Sequence, residues 1–307
     1  MKILVLGAGG VGGYFGGKLV AAGVDVQFLV RPARAEVLAR DGLNINSPLG
    51  DVHVHVSTTT KATSDFDAVL LSCKAYDLDS AMEAIAPAVG ENTLILPLLN
   101  GVRHLESLDE RFGLNRVLGG LCHIGVTMTA EGKIQHLNDL QRFAFGARSS
   151  NQVEAARTLH RVLERGGFSP VLSEAIMQDL WEKFTFLTAY AGLTTLMRAP
   201  IGAIMAADEG ETLMRELLEE CVKTASANGH TPRPDEFNTM ISILTEKGSS
   251  GTASMLRDME RNSATEHEHI IGDMLARART AQLHAPVLRV ALANMQAYES
   301  MRSRAMP

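Results

Sequence analysis

The stretch KILVLGAGGVGGYFGGKLVAAGVDVQFLVR, residues 2–31, decides the fold. It opens with a short buried-strand run at 2–6, passes at once into glycines, continues as a helix-like run from Val11 to Ala22 and becomes β-rich again from Val24 to Val30. Strand, glycine turn, helix and strand form the first βαβ unit of a parallel sheet. Inside it, Gly7-Ala8-Gly9-Gly10-Val11-Gly12 reads G-x-G-x-x-G, a weak pattern alone that the flanking elements strengthen. Gly7 permits the tight turn, Gly9 lets a pyrophosphate reach the backbone, and Gly12 lets the helix pack closely on the sheet. The N–H groups at the helix start, around Gly10 and Val11, would receive the diphosphate charge. A glycine-rich turn without a ligand is the alternative.

The end of the second strand selects the nucleotide. An NAD site usually carries Asp or Glu there, for the ribose 2′-hydroxyl. This chain has Arg31 instead, with Arg34 close by. A guanidinium suits a 2′-phosphate, so NADP is the expected cofactor; solvated loop charges are the plainer reading. Ligands of doubly wound sheets sit beyond the carboxyl ends of the strands. Two more residues stand at such ends, Lys74 after LLSC and Asn100 after LILPLL. Either is a contact to the cofactor or an ordinary loop residue.

Outward from this unit, helical signal covers Ala33–Arg40. Asp51 to Val56 alternates, with Val52, Val54 and Val56 on one face and His53 and His55 on the other. Buried strands are expected at Phe66–Ser72 and Thr93–Leu98, with a helix at Leu78–Ile85 between them. From Val117 to Phe145, β-rich pieces at Gly125–Met128, Lys133–Leu137 and Arg142–Phe145 alternate with turn residues Glu131-Gly132 and Asn138-Asp139. They are expected to extend the parallel sheet with antiparallel strands. Val153–Glu164 is helical, stopped by Gly166-Gly167, and Phe168–Leu172 is a last short strand. Beyond that the β signal disappears. Glu174–Thr195, Gly210–Ala227, Asp235–Thr245, Ala264–Thr280 and Pro286 onward all read as helices. The expectation is an α/β protein: a Rossmann-type dinucleotide-binding domain over 1–172 and an all-helical domain over 173–307, the latter serving substrate and dimer contacts.

Composition agrees with two soluble domains. The 307 residues are 46% hydrophobic and 21% charged, with a formal charge of −6, which gives no electrostatic footprint for nucleic acid. Cys73, Cys122 and Cys221 lie far apart, without a C-x-x-C pair, and are expected as small core residues of a reducing compartment. Neither a signal peptide nor a membrane span is evident, so the expected location is cytoplasmic. A possible homodimer follows from the apolar richness of the helical half, including the Met- and Ala-rich run at 196–207.

The helical half holds two candidate chemical groups. Ile176, Leu180, Leu187 and Ala191 recur at helical spacing, and Lys183 lies on that stripe. Such an ammonium either snorkels outward or works as an acid in a cleft. Glu266, Ile270, Met274 and Arg277 share one helical side, so the carboxylate looks inward from a helix start. His267 and His269 do not share a helix face. There is no H-E-x-x-H, no nucleophile elbow and no metal site.

In its ordered motifs the chain resembles the ketopantoate reductase family. They are G-A-G-G-V-G, Lys74, L-L-N-G-V with Asn100, G-K-I-Q-H at 132–136, L-W-E-K-F at 180–184, S-M-L-R-D at 254–258 and T-E at 265–266. The resemblance implies a Rossmann domain and a helical domain with the active site in the cleft between them. It implies reduction of ketopantoate, a small 2-keto acid, to pantoate with NADPH, a step of pantothenate biosynthesis. By the same resemblance Lys183 is the catalytic lysine, Glu266 binds the substrate hydroxyl and Ser254 lies near its carboxylate. Asn100 helps hold the reacting groups and cofactor, and Arg31 and Lys74 face the cofactor. Leu187, Ala191, Arg198 and Gly251 stand where the family usually carries amide side chains, which makes the pocket less polar. Reduction of another small 2-keto acid, or NADP binding without turnover, are the alternatives.

Overall fold

The computed structural model describes residues 1–63 and 66–304. Two compact units make up the chain, Met1–Leu99 with His104–Met177, and Asn100–Arg103 with Gln178–Pro307.

The first unit is built on the expected βαβ start. Strand β1 (Lys2–Leu6), helix α1 (Gly10–Ala21), β2 (Asp25–Leu29) and α2 (Pro32–Asp41) follow in order. Next come β3 (Leu43–Asn46), β4 (Val52–Val54), β5 (Ser57–Thr59), β6 (Ala68–Leu71), α3 (Leu78–Ile85), β7 (Leu94–Pro97) and α4 (Arg103–Phe112). Five strands make a parallel sheet in the order β5-β2-β1-β6-β7. The chain winds outward from β1 through β2, then resumes on its other side at β6, so the switch point lies between β1 and β6. Leu6 pairs with both Leu29 and Leu71, which sets the carboxyl ends of β1, β2 and β6 level with one another.

A second sheet departs from expectation. Strands β8 (Gly119–Met128) and β9 (Ile134–Gly146) pair antiparallel, and they join β3, β4 and β10 (Val171–Leu172) in a separate layer instead of extending the parallel sheet. The reason is the apolar face of β9. Ile134, Phe143 and Phe145 are fully buried, and Phe15 of α1 meets Phe143 and Phe168 edge-on, with centroids 4.8 and 4.9 Å apart. The far side of α1 thus needs a sheet of its own. Asn138-Asp139 does not end the strand, since β9 runs through it, but the pairing with β8 breaks there: residues 137–140 of β9 stand between the pairs Val126–His136 and Ile124–Gln141, and the Asn138 side chain accepts the Leu140 N–H at 3.3 Å. The alternating segment 51–56 yields only β4, and the next residues cross to the parallel sheet as β5.

Helix α1 is held between the two sheets by paired glycines. A Cβ on Gly12 or Gly16 would strike Ser72 or Phe28 of the parallel sheet's side, at 2.2 and 2.7 Å. One on Gly13 or Gly17 would strike Ile134 or Leu43 of the second sheet, at 2.2 and 2.6 Å. Helix α5 (Val153–Leu163) completes the unit, burying Ala156, Leu159 and Leu163.

The second unit is helical: α6 (Ile176–Met197), α7 (Ile201–Met205), α8 (Gly210–Ala227), α9 (Pro234–Leu244), α10 (Ser254–Glu260), α11 (Asp273–Thr280) and α12 (Pro286–Arg304). Its core includes Phe184, Leu193, Met214, Leu217, Ile271, Met274, Leu288 and Met295. The buried Glu220 of α8 accepts the Val287 and Leu288 N–H groups at 3.0 and 2.8 Å, stitching α8 to the start of α12. The helix expected from Ala264 to Thr280 is interrupted. A π-helical turn, Glu268–Gly272, precedes α11, so Glu266 lies outside the α-helical register assumed for it. No helix among the described residues is long and apolar enough to cross a membrane. Cys122 and Cys221 are buried, whereas Cys73 is only partly so.

Candidate active site

The glycine turn has the geometry of an anion site. Gly7 adopts φ +84°, a conformation an L side chain rarely takes, and its N–H reaches the Leu29 carbonyl at 2.9 Å. Gly9 is the N-cap of α1 and no side chain caps the helix, leaving first-turn N–H groups of Gly10, Val11 and Gly12 for a ligand. A Cβ on Gly9 would meet no protein atom within 4 Å, so the backbone there is open to an approaching group. Gly10, by contrast, rests against Val126 of β8. Gly12 is closed: its Cβ would lie 2.2 Å from Ser72 Oγ and 2.6 Å from the Gly7 carbonyl oxygen. These residues fit a dinucleotide diphosphate.

Arg31 caps α2 directly beyond β2 and its side chain is 85% exposed, with Nη2 3.8 Å from Asp77 Oδ1. So loose an ion pair contributes little to stability and leaves the guanidinium open to a phosphate. Arg34 is no solvated loop charge. Its Nη2 donates to the Ala8 carbonyl at 3.0 Å, and its buried Nε meets no acceptor among the described residues. Burial lowers the Arg34 pKa. Lys74 stands, partly buried, between β6 and the short 3-10 turn at Ala75–Asp77.

In the second unit, Lys183 is 7% exposed on α6, between Glu182 and the fully buried Phe184. That burial weighs against snorkelling, which would leave much of the side chain's end in water. The neighbouring Glu182 fixes the helix. It accepts from the Arg233 backbone N–H at 2.8 Å, from Arg233 Nε at 2.9 Å and from Gln178 Nε2 at 3.0 Å, and Arg233 Nη2 also binds it directly. Burial opposes the Glu182 charge, but the hydrogen bonds from Arg233 and Gln178 win and lower its pKa. Trp181 lies under the Arg277 guanidinium at 5.3 Å, and Arg277 Nε is 3.0 Å from Asp273 Oδ2, which ties α6 to α11.

Asn100 belongs to this unit and meets His269, which the sequence placed only as one of two histidines on different helix faces. The His269 ring packs on Gly101, 3.2 Å from where a Cβ would stand, and it hydrogen-bonds the Asn100 backbone. The backbone N–H of His269 donates to the backbone carbonyl of Glu266 at 3.0 Å. Burial pushes the imidazole pKa down and Arg103 adds to this, against the upward pull of Glu266 and Asp273. The neutral form, able to donate to a backbone carbonyl, is thereby favoured. Helical spacing hid His269 because the π turn re-aims it. Glu266 itself is 9% exposed, whereas Ser254, the first residue of α10, is exposed.

The chain matches the family described as ketopantoate reductase PanE/ApbA over residues 3–150, and that family's C-terminal region over 175–299. It belongs to the ketopantoate reductase family. It is 38% identical over 305 residues to the uncharacterized oxidoreductase YkpB of Bacillus subtilis (strain 168), covering 98% of this chain and 99% of that one. A PanE/ApbA family ketopantoate reductase from Ralstonia eutropha JMP134 superimposes with a TM-score of 0.89 at 26% identity, covering 99% and 100% of the two chains. D-mandelate dehydrogenase, in a ternary structure with NADH and anilino(oxo)acetate, shares the fold at a TM-score of 0.89 and 19% identity, covering 99% of each.

The four positions at which the resemblance leads one to expect amides differ in their surroundings. Ala191 is buried, Leu187 is half-buried and Arg198 is exposed, with φ +50° just past α6. A Cβ on Gly251 would lie 2.8 Å from the Tyr190 hydroxyl, so a larger residue there would displace the phenol.

Proposed function

We propose that this oxidoreductase reduces a small 2-keto acid to the 2-hydroxy acid with NADPH, ketopantoate to pantoate being the reaction for which its family is named. The observation that carries the reading is Lys183, an ammonium 7% exposed on a helix whose neighbouring acid is already committed to Arg233. When bound, the nicotinamide supplies a hydride to the C2 carbonyl carbon. Negative charge then grows on the carbonyl oxygen, and Lys183 stabilises that charge and donates the proton. Glu266 orients the substrate through a hydroxyl, Ser254 contacts its carboxylate, and Asn100, held by His269, completes the arrangement. Gly7, Gly9, Gly10, Val11 and Gly12 receive the diphosphate, and Arg31 and Lys74 supply positive charge at the adjoining strand ends. Arg31 in place of an acid favours the 2′-phosphate of NADPH. A homodimer is part of the same proposal.

The test is a panel of small 2-keto acids scored by loss of NADPH absorbance, repeated with NADH. Substrate-dependent oxidation is expected, with NADPH preferred by at least about tenfold in kcat/KM, a factor that Arg31→Ala reduces. NADP binding with no keto-acid-dependent oxidation would instead mark a regulatory protein, and equal use of both cofactors would remove Arg31 from cofactor selection.

A further inference from the structure

Beyond Lys183 the same face of α6 becomes aromatic. At about 100° per residue, Phe186, Leu187 and Tyr190 fall within roughly 60° of Lys183, one to two turns further along. All three are only partly buried, in contrast to Lys183, Thr188 and Ala189. Phe186 and Tyr190 stack, with centroids 5.4 Å apart and planes at 23°. The Tyr190 phenol rests on Gly251, where a Cβ would stand 2.8 Å from its oxygen and push it aside. Gly251 lies three residues before Ser254, so the ring spans from the lysine's helix to the segment that opens α10. That segment is itself fixed by Arg257, whose Nη1 donates to the Thr252 carbonyl at 2.7 Å. Burial raises the Tyr190 pKa while the Arg257 charge opposes the rise, so at neutral pH the phenol is a neutral hydrogen-bond donor.

A rigid stacked pair with a half-open face is costly to leave against water and binds flat or branched apolar groups well. It offers one phenol and no amide to a substrate hydroxyl. On the basis of the 2-keto acid reading, we infer that Phe186, Leu187 and Tyr190 form the wall that receives the substrate's side chain. This wall selects aromatic or branched apolar 2-keto acids over hydroxylated ones. A hydroxyl pressed against it gives up water and gains at most the single phenol in exchange, whereas an apolar side chain of similar size loses nothing.

The experiment measures kcat/KM with NADPH for 2-oxo-3-phenylpropanoate, 4-methyl-2-oxopentanoate, ketopantoate and pyruvate. The two apolar acids are expected to exceed ketopantoate by at least about tenfold. Phe186→Ala should cut the ratio of phenyl substrate to ketopantoate by about tenfold. Gly251→Ala, which displaces the phenol, should lower it as well, by a smaller factor. Phe186→Leu replaces Phe186→Ala if circular dichroism shows that the alanine variant is unfolded. Preference for ketopantoate by the parent enzyme, or an unchanged ratio in the folded Phe186 and Gly251 variants, overturns the assignment of the wall. Failure to reduce any of the four, with NADPH still bound, overturns the reductase reading itself and with it the wall.

Discussion

Two glycines of the same turn should separate binding from stability. At Gly9, φ is −86° and ψ −161°, ordinary extended backbone, and a Cβ would meet nothing within 4 Å. Gly9→Ala therefore introduces no clash. Its loss as an N-cap, about 0.5–1 kcal/mol, is offset by a similar gain from a stiffer unfolded chain. Folding free energy should stay within about 1 kcal/mol of the parent. The methyl group nonetheless projects into the space a diphosphate must occupy. Loss of one charge-assisted hydrogen bond, about 1.5–3 kcal/mol, should weaken NADPH binding by roughly 10- to 150-fold. Gly12→Ala is the opposite case, since its Cβ would lie 2.6 Å from a main-chain oxygen, that of Gly7, which cannot swing aside. Overpacking of this kind costs about 1–3 kcal/mol, or several degrees in Tm. Urea unfolding without ligand and fluorescence titration with NADPH measure the two quantities separately. Unaltered NADPH affinity in a folded Gly9→Ala protein would refute the assignment of this turn to the cofactor.

Other expectations concern the helical unit. Lys183→Ala should lower kcat by about 10²–10⁴-fold in single-turnover hydride transfer while leaving NADPH affinity nearly unchanged, and wild-type rates would remove this lysine from the chemistry. Glu266→Ala should act chiefly on KM for a hydroxylated keto acid, which steady-state kinetics will show. Arg233→Ala strands the buried Glu182. The loss should be about 2–4 kcal/mol at pH 7, the low side for buried pairs because the Arg233 side chain is 49% exposed. Because the folded Glu182 pKa is depressed, this contribution is present above about pH 4.3 and disappears as pH falls through the folded value. Urea titrations of both proteins at pH 7 and in acid should therefore converge at the low end. Sedimentation should give twice the 33.1 kDa chain mass, and a single species at that mass would reject the dimer.

The parallel sheet was legible because its strands are continuous apolar runs punctuated by glycine, and β1, α1 and β2 lie within a residue of their expected bounds. What escaped was set by distant partners. β3 and β5 are four and three residues long, too short for any periodicity, and exist because β9 and β2 pair with them. Asn138-Asp139 has turn composition and lies within β9, in the stretch between His136 and Gln141 where β9 carries residues that β8 does not pair, so its local bend is taken up as a bulge and the strand does not end. Helix α4 was passed over although His104, Leu105, Leu108 and Phe112 make a clear buried stripe. Within the site, the glycine turn and Lys183 stood out from local spacing and from the family likeness. His269 and Tyr190 did not, since one depends on a π turn and the other on the glycine beneath its ring.

The paired glycines of α1 have a consequence for motion. A helix clamped on both faces through bare backbone has almost no side-chain rotamers to rearrange there, so it cannot shift without opening both sheets at once. Its amides from Gly13 onward should be among the slowest in the protein to exchange with solvent deuterium. The first-turn N–H groups, by contrast, point out from an immobile base. A dinucleotide arriving there meets donors already fixed in direction, and little of its binding free energy is consumed in ordering them.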